Sequence, residues 1–150
     1  AAVLIDAGEV GCEEAVCSAI KSRGIKTLDL VVATHPHSDH IGSMAAVFKE
    51  FSVKRLLIPN IPEEYLPETP LYDAVLSTAE GEDGCTVIRA EPKMSFYLGS
   101  GAALEVLGPV DCYFDDMNNW SVVTKRAQAA SSDSEGREGS AAGAVSSWEG

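Results

Sequence analysis

Residues 34–42 read THPHSDHIG. All three histidines of the 150-residue chain, His35, His37 and His40, fall inside this stretch, with Asp39 among them. Upstream lies LDLVVATH (28–35), an apolar run of the length of a buried strand. Downstream lies IGSMAAVFKEF (41–51), whose apolar residues recur at helical spacing. A strand rich in Val and Leu therefore ends directly in a polar cluster that leads into a helix. In open α/β sheets, sites gather at the carboxyl ends of strands.

The cluster has the chemistry of a metal site. Imidazole nitrogen with a carboxylate nearby suits zinc, iron or manganese. His35 and His37 stand two apart on a turn stiffened by Pro36, and Asp39 and His40 lie beyond it, beside Gly42. This suggests two adjacent metal positions, one on each side of the turn. A polar turn with surface histidines is the plain alternative. It suits a lone histidine far better than four potential ligands in six residues.

The surrounding elements follow from periodicity. AVLIDA (2–7) reads as a buried strand, and the helix EEAVCSAIKSRG (13–24) has its acids first and its bases last. VKRLLIP (53–59) is a third strand. This β-α-β-α-β order implies parallel pairing in one sheet. Pro59, Pro62, Pro67 and Pro70 mark a loop, and 71–81 reads as a helix. CTVIRA (85–90) is a strand, 95–109 a hairpin around Gly-Ser-Gly, and 115–124 a polar turn leading into a last strand. The second half is expected to be antiparallel. The total is at least six strands and three helices.

HPHSDH has the HxHxDH form and resembles the motif of the metallo-β-lactamase fold, and LIDAG resembles that fold's early strand-plus-Asp element. THPHSDHIG, the strand 53–59 and the block FYLG…LEVLGP…DDMNNWSVV are similar to bacterial hydrolases of this fold related to the C-terminal domain of the competence protein ComEC/Rec2. The resemblance spans residues 2 to 124. It implies an α/β class protein, a partial αββα sandwich of mixed sheets flanked by helices whose second half is incomplete. By position, it makes His35 and His37 ligands of a first metal and Asp39 and His40 ligands of a second. Asp6 either supports the site from behind or caps a strand end. Asn118 and Asn119 resemble the subgroup's Asn-rich turn, which a plain turn explains as well. Ser43 departs from the family, which often has a second Gly there.

The resemblance also implies a mechanism. Two divalent metals, zinc or else manganese or iron, lower the pKa of a shared water towards neutrality. The hydroxide attacks a phosphodiester or ester-like bond, and Asp39 is a candidate to orient it. Phosphodiester, nucleic acid included, is favoured by the subgroup, whereas glyoxalase-type thioesterases and lactamases share the motif at greater distance. The family supplies further ligands: a later His, a bridging Asp in a Thr-Gly-Asp segment and another late His. No histidine follows position 40 in this chain. Two other readings therefore stand beside the hydrolase: an inactive remnant and an interaction module.

Composition bounds the rest. Hydrophobic residues make up 45%, enough for one core, and no apolar run approaches a membrane span. The net charge of −12 opposes long polyanions. Cys12, Cys17, Cys85 and Cys112 show no CxxC spacing and are expected as buried free thiols. The start, AAVLIDAGEV, lacks a Met and a signal-peptide pattern. A bacterial fragment is the reading, with the cytoplasm favoured. Within 127–150, Ala, Ser and Gly supply 16 of 24 residues. The domain is therefore placed at 1–124 and a disordered tail at 125–150, the product of a frame slip or truncation.

Overall fold

A computed structural model describes residues 1–110 and 116–128. Four parallel strands form its centre: β1 (Val3–Ile5), β3 (Leu30–Val32), β5 (Arg55–Ile58) and β6 (Thr86–Arg89), in the order β1-β3-β5-β6. Val31 lies opposite Leu4 on one side and Leu56 on the other. The helices α1 (Glu13–Lys21), α3 (Met44–Glu50) and α4 (Pro70–Glu80) pack on one face. A three-stranded antiparallel sheet of β7 (Ser95–Gly99), β8 (Ala102–Gly108) and β9 (Val123–Gln128) covers the other.

Strand alternation builds this three-layer stack. Val31 and Leu56 face the helices and join Met44, Val47, Phe48, Tyr72 and Val75. Their neighbours Leu30, Val32 and Leu57 face the second sheet and join Phe96, Leu104, Val106 and Val122. Leu30, Val31, Val32, Leu56 and Leu57 are all fully buried, as expected of central parallel strands covered on both faces. Burying each such side chain stabilises the fold by about 1.5–3 kcal/mol.

The structure revises several elements. The strands expected at 28–35 and 53–59 are each split. A short parallel pair, β2 (Thr27–Leu28) with β4 (Ser52–Val53), precedes β3 and β5. The breaks fall at Asp29 and Lys54, whose side chains pair at 2.7 Å, and the Asp29 carboxylate also accepts the Ala2 N–H at 2.8 Å. The helix expected at 41–51 arrives as α2 (Ser38–Ile41) and α3, with Gly42 and Ser43 between them. The strand expected at 85–90 joins the parallel sheet as β6, so antiparallel pairing begins only at β7. The 95–109 hairpin forms around Gly99, Ser100 and Gly101, all at positive φ.

α4 starts at Pro70 in the first turn, capped by Thr69, whose Oγ1 accepts the Tyr72 N–H at 3.3 Å. A single 3₁₀ turn spans Glu63–Tyr65 within the proline-rich loop. β9 runs on through Gln128, four residues into the stretch assigned to the tail, because it pairs with β8 along its whole length. The rest of that stretch, 129–150, lies outside the described residues. Cys12 is exposed, which corrects the expectation of buried thiols, whereas Cys17 is buried and Cys85 half-buried. Cys112 lies outside the described residues. Among them, no helix is long and apolar enough to cross a membrane.

Candidate metal centre

The site grows from the carboxyl end of β3. Thr34, two residues past the strand, donates its backbone N–H to Asp6 Oδ1 at 2.8 Å and lies with its Oγ1 2.7 Å from Asp6 Oδ2. Asp6 reaches these groups because β1 pairs directly with β3, and Asp6 turns off the end of β1 in the left-handed region, at φ 56°. Aspartate tolerates that region better than most residues. The same Oδ2 lies 2.7 Å from His40 Nδ1. The His40 carbonyl in turn accepts the Ala7 N–H at 2.7 Å. The loop after β1 therefore grips α2 through side chain and backbone together.

Residues 39 and 40 reach the strand end because α2 begins at Ser38, immediately after the His-Pro-His turn. His35 is 6% exposed, with its ring centroid 3.8 Å from that of His40. Asp39 is open to solvent, and its Oδ2 lies 3.4 Å from His40 Nε2. One donor atom each from His35, Asp39 and His40 falls within 4.8 Å of the others. His37 stands edge-on to His35 at 4.8 Å between centroids but outside this group. The sequence suggests two adjacent positions, 35 with 37 and 39 with 40; the structure brings His35 of the first close to Asp39 and His40 of the second. His37 precedes the helical turn in an extended conformation and is exposed.

Burial pushes the His35 pKa down, and the like charges of His40 and His37 add to the effect against the opposing pull of Asp6 and Asp39. His35 is thereby biased towards the neutral form, the form that binds metal.

Two small residues let α2 seat. A Cβ on Gly42 would collide with the Val10 backbone nitrogen, the Glu9 carbonyl carbon and the Ser38 oxygen. Ser43, fully buried, donates its hydroxyl to the Glu9 carbonyl at 2.7 Å. The residue that departs from the family pattern thus ties the loop after β1 to the helix pair. Periodicity gives no sign of either contact.

A second segment approaches from the antiparallel sheet. Val122 donates its N–H to the Thr34 carbonyl at 2.7 Å. Before it, a 3₁₀ turn (Met117–Trp120) places Trp120 in the interior, beside Tyr65 at 6.2 Å. Asn118 donates both its backbone N–H and its side-chain amide to Asp116 Oδ1 at 2.9 Å, and Asn119 donates its N–H to the Asp116 carbonyl. The two asparagines therefore form the turn that the plain reading described. The two bonds from Asn118 hold the Asp116 carboxyl below its ordinary range, its backbone N–H first, with smaller help from the charges of His37 and His35. Asp116 was not singled out in the sequence, since only the fold brings it towards the histidines.

Residues 1–107 match the family model of the metallo-beta-lactamase superfamily. The chain belongs to the metallo-beta-lactamase superfamily. Over 47 residues it is 40% identical to ComE operon protein 3 of Bacillus subtilis (strain 168), a match that covers 31% of this chain and 6% of that protein. A solved HARLDQ-motif mutant of a metallo-beta-lactamase from Cronobacter sakazakii resembles it with a TM-score of 0.49 at 17% identity, over 70% of this chain and 41% of that one. Proteins of the superfamily usually bind divalent metals. The donors present fit such an ion. Metal–ligand bonds to His and carboxylate are about 2.0–2.2 Å, so neighbouring donors on one tetrahedral ion stand roughly 3.3–3.6 Å apart. The donors here lie within 4.8 Å of one another, so the widest pair must draw in by roughly 1 Å to share an ion.

Proposed function

We propose that this superfamily chain contributes His35, His37, Asp39 and His40 to the metal centre of a metal-dependent hydrolase acting on a phosphodiester or ester-like bond. The observation that supports it most is the convergence of His35 with Asp39 and His40, which sets the two proposed metal positions side by side, with the far nitrogen of His40 anchored on Asp6. In this reading His35 and His37 belong to a first metal and Asp39 and His40 to a second, and Asp6 supports the site. The ion is zinc, with manganese or iron as alternatives. Bound divalent metal supplies Lewis acidity and lowers the pKa of water.

The chain's own residues prepare that chemistry. Asp6 takes the Nδ1 proton side of His40 and leaves Nε2 for the ion, the usual carboxylate–histidine arrangement behind a metal. Burial and neighbouring imidazoles favour neutral His35. In this reading Asp39, exposed to solvent, would orient the attacking nucleophile. The likeness to ComE operon protein 3 supports the ComEC/Rec2-related subgroup, and with it the phosphodiester. The net charge of −12 favours a short phosphodiester over a long polyanion.

A second reading, an inactive chain with a weak metal site, is favoured by the 65% exposure of the Asp39 side chain. Metal analysis after dialysis separates the two. Close to two metals per chain, reduced in His35→Ala and His40→Ala, together with chelator-sensitive cleavage of bis(4-nitrophenyl) phosphate, supports the hydrolase. Metal that dialyses away with no cleavage rejects it.

A further inference from the structure

Thr34 holds a position that the proposed ligand set leaves unused. Its Oγ1 lies 2.7 Å from Asp6 Oδ2, 3.2 Å from His40 Nδ1 and 3.3 Å from His35 Nδ1. A hydroxyl has one proton to donate and two lone pairs to accept with. An ionised carboxylate can only accept. The short contact to Asp6 therefore takes the single Thr34 proton. What remains on Oγ1 is lone pairs, so the contact with His35 requires a proton on His35 Nδ1. His40 needs no intermediary, because its own Nδ1 lies 2.7 Å from the same Asp6 oxygen.

We propose that Thr34 is a positioning residue that relays the demand of Asp6 to His35, so that one carboxylate fixes the tautomer of two histidines. His40 is set directly and His35 through the hydroxyl. In both rings Nδ1 carries the proton and Nε2 is left bare. The consequence for metal affinity rests on the metal-centre reading above; the tautomer itself does not. His37 is a built-in control, since its ring makes no hydrogen bond among the described residues and only a ring contact with His35.

The test uses the full chain, metal-free, with ¹⁵N-labelled histidine, at about pH 8, where ordinary imidazoles are neutral. Two-bond ¹H–¹⁵N correlation reads which nitrogen bears the proton. His35 and His40 should both show protonated Nδ1. Thr34→Val keeps the shape and removes the hydroxyl. It should abolish the His35 preference, leave His40 unchanged and weaken zinc binding, measured by chelator competition, about tenfold to hundredfold. Thr34→Ser should restore both. Protonated Nε2 on His35 of the wild-type protein would overturn the assignment even if Thr34→Val fails to fold. So would a Thr34→Val protein with its His35 tautomer unchanged. If the wild-type protein binds no zinc but the Thr34-dependent tautomer is present, the relay stands and the metal-centre reading falls. Zinc binding with a Thr34-independent tautomer gives the reverse.

Discussion

Gly42 and His35 show how single residues decide whether the site exists. At Gly42 the added Cβ of an alanine meets backbone on three sides, and backbone cannot swing away as a side-chain tip can. Gly42→Ala should lower stability by about 1–3 kcal/mol, the usual cost of overpacking. Urea denaturation measures it, and a change within error would mean that the loop at Glu9 and Val10 yields freely. At His35 the folded state disfavours the proton, chiefly through burial. The sign follows from linkage: the unfolded chain binds the extra proton, so this contribution is full above about pH 6.5 and is lost as pH falls below it. The urea midpoint should therefore drop from pH 7.5 to 5.5, and metal should be released over the same range as protons compete for imidazole. His35→Gln should flatten the stability part of that dependence. The histidine run was legible in the sequence because four ligand-type side chains crowd one turn. Thr34, Ser43 and Asp116 were not, since each acts through a contact that only folding creates.

The elements were legible wherever the hydrophobic period was clean. The parallel β-α-β-α-β core and the 95–109 hairpin came through. The splits at Asp29 and Lys54 did not. Each is one polar residue inside an apolar run, and the pair matters only because adjacent parallel strands bring the two side chains within 2.7 Å. Likewise nothing local says that β6 continues the parallel sheet. The strand β5 separates two cores, which gives a prediction for neighbouring residues. Leu56→Ala opens a cavity on the helix side and Leu57→Ala one on the sheet side. Each should cost about 2–5 kcal/mol in urea titrations. Leu56→Ala should perturb NMR methyl shifts of Met44 and Val47, and Leu57→Ala those of Leu104 and Val122. Overlapping patterns would mean that the sheet does not partition the interior.

For the whole molecule, charge and layering set the outlook. With a net charge of −12, binding to a DNA duplex should not show the usual steep weakening with salt, because the 11 Lys and Arg are outnumbered by 23 Asp and Glu. Fluorescence anisotropy with a labelled duplex between about 50 and 200 mM salt tests this, and a steep loss of affinity would reveal a local basic patch. The three described layers run helices, parallel sheet, antiparallel sheet, with the candidate centre at the strand ends where the two sheets meet through Val122 and Thr34.

That last backbone bond carries a consequence in time. The contacts of Asp6 with Thr34 and His40 close segments 28 and 34 residues long. The bond from Val122 to Thr34 spans a far longer stretch and depends on a sheet built from the chain's later residues. Contacts at greater separation in sequence form more slowly. During refolding, the Asp6–Thr34–His40 knot should therefore tie first, before the segment leading into β9 docks on Thr34. Pulse-labelled hydrogen exchange should find the Thr34 amide protected before that of Val122. The chain would then pass through a stage in which Asp6, Thr34 and His40 are joined before the antiparallel sheet docks, so that on the metal-centre reading the order of assembly, and not only the final shape, bears on how the site is loaded.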